Sequence, residues 1–67
     1  MIKVSINNEP QQLAEGSTVA DMLGQLGFVA AKVAVAVNTE FVPRSTYASQ
    51  VLQPGDSVDV LAPVQGG

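Results

Sequence analysis

One stretch of this chain has the apolar spacing of a helix that packs on a sheet. Four apolar residues recur there at intervals of three and four positions: Val19, Met22, Leu23 and Leu26. Thr18 is placed to cap the start of this helix together with Asp21, and Gly27 is placed to end it in a left-handed conformation. A helix this short is not stable alone in water, so its apolar side must be covered by a sheet.

The residues before the helix predict a hairpin. From Ile2 to Ile6 apolar and polar residues alternate, which is the pattern of a strand with one buried face. Residues 7–10, Asn-Asn-Glu-Pro, are rich in turn formers, so we expect the chain to reverse there. A second short strand is then expected over 11–15, with Leu13 pointing inward.

The residues after the helix predict three more extended segments. In residues 33–37 valines alternate with alanines, which is typical of a strand that neighbours cover well. Asn38-Thr39 favours a turn before a short extended piece over 40–42. Pro54-Gly55 fits the centre of a type II turn, and a last strand is expected over 57–62.

These elements predict an α+β fold in which one main helix lies across one face of a mixed sheet of four to five strands. A strand that follows a helix in the same sheet is expected to return through a right-handed crossover. Pro63 cannot donate to a ladder, so regular pairing should end there. We therefore expect one domain over residues 1–63 and a flexible C-terminal tail over 64–67 that ends in Gly-Gly.

The composition argues against several classes of function. The 67 residues contain no cysteine and no histidine, which removes disulfides, thiol nucleophiles and the commonest metal ligands and general bases. Six acidic residues against three basic ones give a net charge of −3, which argues against nucleic acid and anionic membranes as partners. With no leader-like segment and no apolar run long enough to span a bilayer, we expect a cytoplasmic protein that binds no metal.

No group of side chains in this sequence has the pattern of an active site. The carboxylates are scattered singly near turns and caps, and the serines have no base to activate them. We interpret Arg44 as a surface charge, with a contact to a partner as the alternative, and Tyr47 and Phe41 as packing residues. The chain is therefore not expected to be an enzyme.

The last two residues, Gly66 and Gly67, are the remaining candidate site. A featureless chain end is the simpler interpretation. The functional interpretation is that a terminal glycine has no Cβ, so its carboxylate is unhindered. Two glycines also let an extended tail approach the backbone of another protein closely. Such a tail suits an enzyme that acts on the carboxylate of Gly67.

Three segments give the chain a family resemblance. Residues 33–44, Val-Ala-Val-Ala-Val-Asn-Thr-Glu-Phe-Val-Pro-Arg, closely resemble the ThiS family of sulfur carriers, as do residues 16–19 at the helix start and 52–56 before the last strand. The resemblance implies a β-grasp (ubiquitin-like) fold over essentially the whole chain. The Gly-Gly end is shared by all sulfur carriers of this fold, and residues 61–64 resemble the small subunit of molybdopterin synthase.

The resemblance also implies a mechanism in which this protein is a substrate. A ThiF-type enzyme would use ATP to adenylate the carboxylate of Gly67. Sulfur drawn from cysteine by a desulfurase, and carried as a persulfide, would convert that group to a thiocarboxylate. The thiocarboxylate would donate its sulfur to thiazole synthase, ThiG, for thiamine biosynthesis. Residues Pro63, Val64, Gln65 and Gly66 would line the channels of these partners, and no cofactor would be bound by the chain itself.

Two alternatives stay open at this point. The same chemistry can serve molybdopterin synthase, and a stable complex with one synthase or the other separates these two assignments. A ubiquitin-like interaction module without carboxyl chemistry is the second alternative. It predicts that deletion of Gly66 and Gly67 leaves the function intact.

Overall fold

The computed structural model describes residues 1–62, and residues 63–67 lie outside the described part. The described chain forms five strands and one α-helix. They are β1 (Ile2–Ile6), β2 (Glu9–Leu13), α1 (Val19–Leu26), β3 (Ala34–Val37), β4 (Glu40–Val42) and β5 (Ser57–Leu61). Single turns of 3₁₀-helix precede β3, at Ala30–Lys32, and follow β4, at Arg44–Thr46.

The strands form one mixed sheet in the order β2-β1-β5-β3-β4. β1 and β5 pair in parallel at the centre, while the β1–β2, β3–β5 and β3–β4 pairs are antiparallel. The first and last strands of the described chain are therefore neighbours. The prediction of a mixed sheet of four to five strands crossed by one helix is confirmed, with five strands.

Both ends of α1 are capped as the sequence predicts. The Asp21 backbone N–H donates to the Thr18 hydroxyl at 3.1 Å, and the Thr18 backbone N–H donates back to the Asp21 carboxylate at the same distance. At the other end Gly27 has a φ of 84°, and the Phe28 N–H donates to the Leu23 carbonyl at 2.9 Å. This is a Schellman motif, and it turns Phe28 back onto the core.

The core lies between α1 and one face of the sheet. The fully buried side chains come from the helix, the strands and the loop before β5: Leu13, Val19, Met22, Leu23, Val35, Leu52 and Val58. Val33 and Val37 extend the inward row of β3, while Ala34 and Ala36 are half-buried on its other face. Tyr47 is buried in this cluster, so its interpretation as a packing residue is confirmed.

The bounds predicted for the second strand are wrong by two residues. β2 spans Glu9–Leu13 rather than 11–15, because Asn7 and Asn8 alone make the turn, with φ angles of 52° and 68°. Two consecutive residues with positive φ are the hallmark of the tightest hairpin turn, and asparagine tolerates that conformation better than most residues. Pro10 is accommodated inside β2 because β2 is an edge strand.

The two remaining turns have the predicted positions. Asn38 and Thr39 have φ angles of 50° and 70°, so β3 and β4 are joined by the same kind of two-residue turn. Gly55 has a φ of 85°, and the Asp56 N–H donates to the Gln53 carbonyl at 3.1 Å, as in a type II turn. These turns fix the register of the strands that they precede or connect.

The assigned end of α1 can be tested by substituting two glycines, one inside the helix and one at its C-terminal cap. Gly24 lies inside the helix, where an added Cβ meets no atom within 4 Å, so Gly24→Ala should stabilise the fold by about 1 kcal/mol. Gly27 meets no atom either, but its positive φ should make Gly27→Ala destabilising by about 1–2 kcal/mol. Urea unfolding followed by circular dichroism measures both, and equal effects of the two substitutions would contradict the assigned helix end.

Candidate functional site

The predicted site residues Pro63, Val64, Gln65, Gly66 and Gly67 all lie outside the described residues. The described part supplies the strand that leads to them. β5 occupies the centre of the sheet and ends at Leu61, one residue before the exposed Ala62. The last described residues, Leu61 and Ala62, therefore lie at one end of the sheet.

The end of β5 is held by a side chain as well as by its neighbouring strands. β3 pairs with β5 from Val58 to Leu61, but β1 has already turned away at Asn7. The Asn7 backbone N–H donates to the Val58 carbonyl at 2.9 Å, and the Asn7 Oδ1 atom accepts from the Val60 N–H at 2.8 Å. The side chain thus continues the ladder where the backbone of β1 can no longer do so.

The sheet face opposite the helix carries an exposed apolar area beside the end of β5. Ala34 pairs with Leu61 and Ala36 pairs with Phe41, so these four residues share one face, and we call them the outer apolar patch. Phe41 is 69% exposed and Leu61 is 64% exposed. Exposed large apolar side chains that share one face are a feature that interaction surfaces have in common.

The interpretation of Phe41 as a packing residue is wrong. The two-residue turn at 38–39 sets a register in which Val42 faces Val35 in the core and Phe41 faces Ala36 on the outside. A strand of three residues can bury only one of its two faces against the helix layer. The sequence Glu40-Phe41-Val42 does not show by itself which side chain points to the core. That becomes clear only when the length of the preceding turn is known.

The other half of the outer face is polar. On β1 and at the start of β5 the residues that share this face are Lys3, Ser5 and Ser57, since Ser5 pairs with Ser57. Asp59 stands opposite Ala36 and borders the outer apolar patch. The exposed apolar side chains are therefore concentrated where β3, β4 and the end of β5 lie together, close to the start of residues 63–67.

Arg44 has a structural role that neither interpretation of it included. Its Nε atom donates to the Ala30 carbonyl and its Nη2 atom to the Val33 carbonyl, both at 3.3 Å. The Tyr47 hydroxyl donates to the same Val33 carbonyl at 3.2 Å. Arg44 is exposed, as expected of a surface charge, but it also fastens the segment that enters β3 to the end of β4.

Two of the carboxylates and one serine hydroxyl of the described part act in caps and turns. Asp21 caps α1, and the Asp56 carboxylate accepts from the Asn38 amide at 3.0 Å and from the Gln53 N–H at 2.8 Å. The Ser17 hydroxyl donates to the Ala14 carbonyl at 2.7 Å. Within residues 1–62 no three acidic side chains come together as a possible metal site, and every helix there is too short or too polar to pass through a bilayer.

A mixed five-stranded sheet crossed by one helix, with the first and last strands parallel at its centre, defines the β-grasp class of small domains. Within this class the sequence model of the ThiS family matches residues 4–67. The chain belongs to the ThiS family.

Individual relatives agree with this assignment. The chain is 33% identical over 66 residues to the sulfur carrier protein ThiS of Escherichia coli, covering 98% of this chain and all of that protein. It superimposes with a TM-score of 0.84, at 28% identity, on the crystal structure of the thiamine biosynthesis protein ThiS of Geobacter metallireducens, covering 98% of this chain and 100% of that one.

A second kind of relative is much longer. The chain is 39% identical over 66 residues to a thiazole synthase of Paramagnetospirillum magneticum, and again 98% of the chain is covered. The chain spans only 20% of the length of that thiazole synthase. The same holds for a thiazole synthase of Magnetococcus marinus, at 39% identity and 20% of its length.

The hydrogen bond between the Asn7 side chain and the end of β5 can be tested by substitution. Asn7→Ala should destabilise the fold by about 1–2 kcal/mol more than Asn8→Ala, because it leaves the Val60 N–H without its acceptor. Both positions have positive φ, so the backbone strain is matched. Amide hydrogen exchange of Val60 should be faster in Asn7→Ala and close to wild type in Asn7→Asp, which keeps an oxygen. Unchanged exchange in Asn7→Ala would contradict the contact.

Proposed function

We propose that this chain is the sulfur carrier for thiazole formation in thiamine biosynthesis, and that it acts as a protein cosubstrate rather than as an enzyme. The single observation that carries the proposal is the outer apolar patch. It spans β3, β4 and the end of β5, and its residue Leu61 ends the strand that precedes Gly66 and Gly67 in the sequence, so a partner that covers the patch is close to the chain end. Membership of the ThiS family supports the chemistry assigned to that end.

The first step is activation of the Gly67 carboxylate. An oxygen of the carboxylate attacks the α-phosphorus of ATP on a ThiF-type enzyme, and pyrophosphate leaves. The product is an acyl-adenylate, whose AMP is a good leaving group where the carboxylate oxygen was a poor one. Glycine suits this step because no Cβ hinders the approach to the carboxyl carbon.

The second step installs sulfur. The outer sulfur of a persulfide, supplied from cysteine through a desulfurase, attacks the acyl carbon and AMP leaves. A second thiol then cleaves the sulfur–sulfur bond and leaves a thiocarboxylate on Gly67. Since the chain has no cysteine, it contributes no thiol of its own and every sulfur atom in this step comes from outside.

The third step is donation. The thiocarboxylate is a strong nucleophile, and its sulfur attacks a carbonyl-derived intermediate of deoxyxylulose phosphate on thiazole synthase, ThiG. Water then cleaves the acyl–sulfur bond of the resulting thioester, so the sulfur stays on the intermediate and Gly67 returns as a carboxylate. The likeness of the chain to one fifth of two longer thiazole synthases supports this partner. We place the reaction in the cytoplasm, with ATP and cysteine as consumed reactants and no cofactor resident on the chain.

The family match and the named relatives favour the thiazole pathway over molybdopterin synthesis. The exposed apolar face by itself does not distinguish a sulfur carrier for thiazole, a sulfur carrier for molybdopterin and a ubiquitin-like module without carboxyl chemistry. The difference lies in the carboxyl chemistry and in the synthase that the chain binds, and two experiments address these points separately.

The first experiment measures carboxyl chemistry by intact mass. After incubation with a ThiF-type enzyme, ATP, cysteine and a desulfurase, the protein should gain the mass difference between one sulfur and one oxygen atom. A variant that lacks Gly67 should show no gain. If the full chain gains no mass with an enzyme that modifies another carrier, the chain is a binding module without carboxyl chemistry.

The second experiment measures docking of the outer apolar patch. Phe41→Ala should weaken the complex with thiazole synthase about 10-fold, because Phe41 is the largest exposed side chain of the patch and aromatic anchors carry a large share of the binding energy at interfaces. Val29→Ala is the control, since Val29 is 57% exposed but belongs to the helix-to-β3 connection and not to the patch. Isothermal titration calorimetry gives both affinities, and equal losses would assign the patch no special role. Binding to a molybdopterin synthase large subunit instead would reassign the pathway.

A further inference from the structure

A groove borders the outer apolar patch at the end of β5. It has a volume of about 370 Å³, and Leu61 and Ala34 belong both to the groove and to the patch. Its other wall is the 3₁₀ turn that enters β3, with Ala31 and Lys32, and its rim includes Arg44. We call this feature the basic groove.

The groove concentrates positive charge in an acidic chain. The net charge of the chain is −3 and it contains three basic side chains, of which Lys32 and Arg44 line this one groove. None of the described residues that line it carries a carboxylate. The remaining wall is apolar, so the groove presents two cations around a hydrophobic floor.

Backbone contacts hold the guanidinium of Arg44 and the turn that carries Lys32. The Arg44 guanidinium is held by the carbonyls of Ala30 and Val33, which leaves further N–H donors of the group for a partner. The Lys32 backbone N–H donates to the Val29 carbonyl at 2.8 Å, which fixes the turn that carries its side chain. A preorganised guanidinium matches a carboxylate better than a mobile charge does.

The groove lies within a short reach of Gly67. Residues 63–67 span at most roughly 17 Å when fully extended, at about 3.5 Å per residue. Whenever Gly67 is in the active site of an enzyme, the end of β5 therefore lies within about 17 Å of that site. The basic groove is next to the end of β5, so it is close enough to contact the surface around the entrance.

We propose that the basic groove docks the activating enzyme through an apolar side chain flanked by carboxylates at the entrance of its active site. The inference rests on the proposed function and adds the chemistry of recognition. Lys32 and Arg44 orient the chain so that it arrives with its C-terminal end forward, while its overall negative charge disfavours other orientations. The outer apolar patch supplies apolar contacts, and the groove adds two positive charges that select a partner with carboxylates.

The chain contains a matched control for the charge of Lys32. Lys3 is exposed on the outer face, and the register places it about 20 Å along the strands from Leu61. This distance exceeds the Debye length of about 8 Å at physiological salt. Lys32→Glu and Lys3→Glu change the net charge equally but at opposite ends of the sheet.

The experiment measures pyrophosphate release by the activating enzyme as a function of carrier and salt concentration. Lys32→Glu should raise KM for the carrier about 10-fold with kcat unchanged and should reduce the salt dependence of kcat/KM. Lys3→Glu should stay within about 2-fold of wild type, and Lys32→Gln should lie between Lys32→Glu and wild type. Thermal unfolding of each variant checks that the fold is intact.

Each outcome separates this inference from the proposed function. If the wild-type chain elicits no pyrophosphate release, the proposed function fails. If the wild type is active and the two charge reversals behave alike, the basic groove is not a recognition site. If Lys32→Glu weakens binding to thiazole synthase alone, the assignment of the activating enzyme as the occupant is overturned.

Discussion

β1 and β5 pair in parallel at the centre of the sheet, and the other elements depend on this contact between the two ends of the described chain. The helix, the crossover and the second hairpin all lie between these two strands in the sequence, so the pairing of β1 with β5 closes a long loop of the chain. Once paired, Val58 is completely buried beneath α1, and β3 has a partner on its inner edge. A small domain without disulfides relies on such long-range closure, since its core is too modest to tolerate an unpaired central strand.

Features of the fold that depend on local chemistry could be predicted from the sequence. The caps of α1 and the type II turn at Gly55 follow from residue types that have one favourable conformation. The bounds of β2 could not be predicted as well, because Asn7-Asn8 and the longer Asn-Asn-Glu-Pro stretch are both acceptable turns in isolation. Pairing with β1 selects the shorter one, since it brings Leu13 into the core opposite Ile2.

The candidate site also has a part that can be predicted from local sequence and a part that depends on how the strands pair. The Gly-Gly end is visible in the sequence, and the family resemblance gives it a chemistry, but the surface that accompanies it depends on which strands lie side by side. From its residue type alone Phe41 is interpreted as a packing residue, whereas the register of the two-residue turn places it on the outer face. The contact of Asn7 with Val60 joins residues 53 positions apart, and no local pattern in either segment indicates it.

The parallel arrangement of β1 and β5 has a mechanical consequence. Under the proposed function, a partner enzyme that pulls on the chain end would apply tension to β5. The hydrogen bonds of β5 to β1, to β3 and to the Asn7 side chain run across the strand axis, so a load along that axis is shared among them in shear rather than opening them one after another. The sheet is therefore built to stay folded when β5 is pulled along its length.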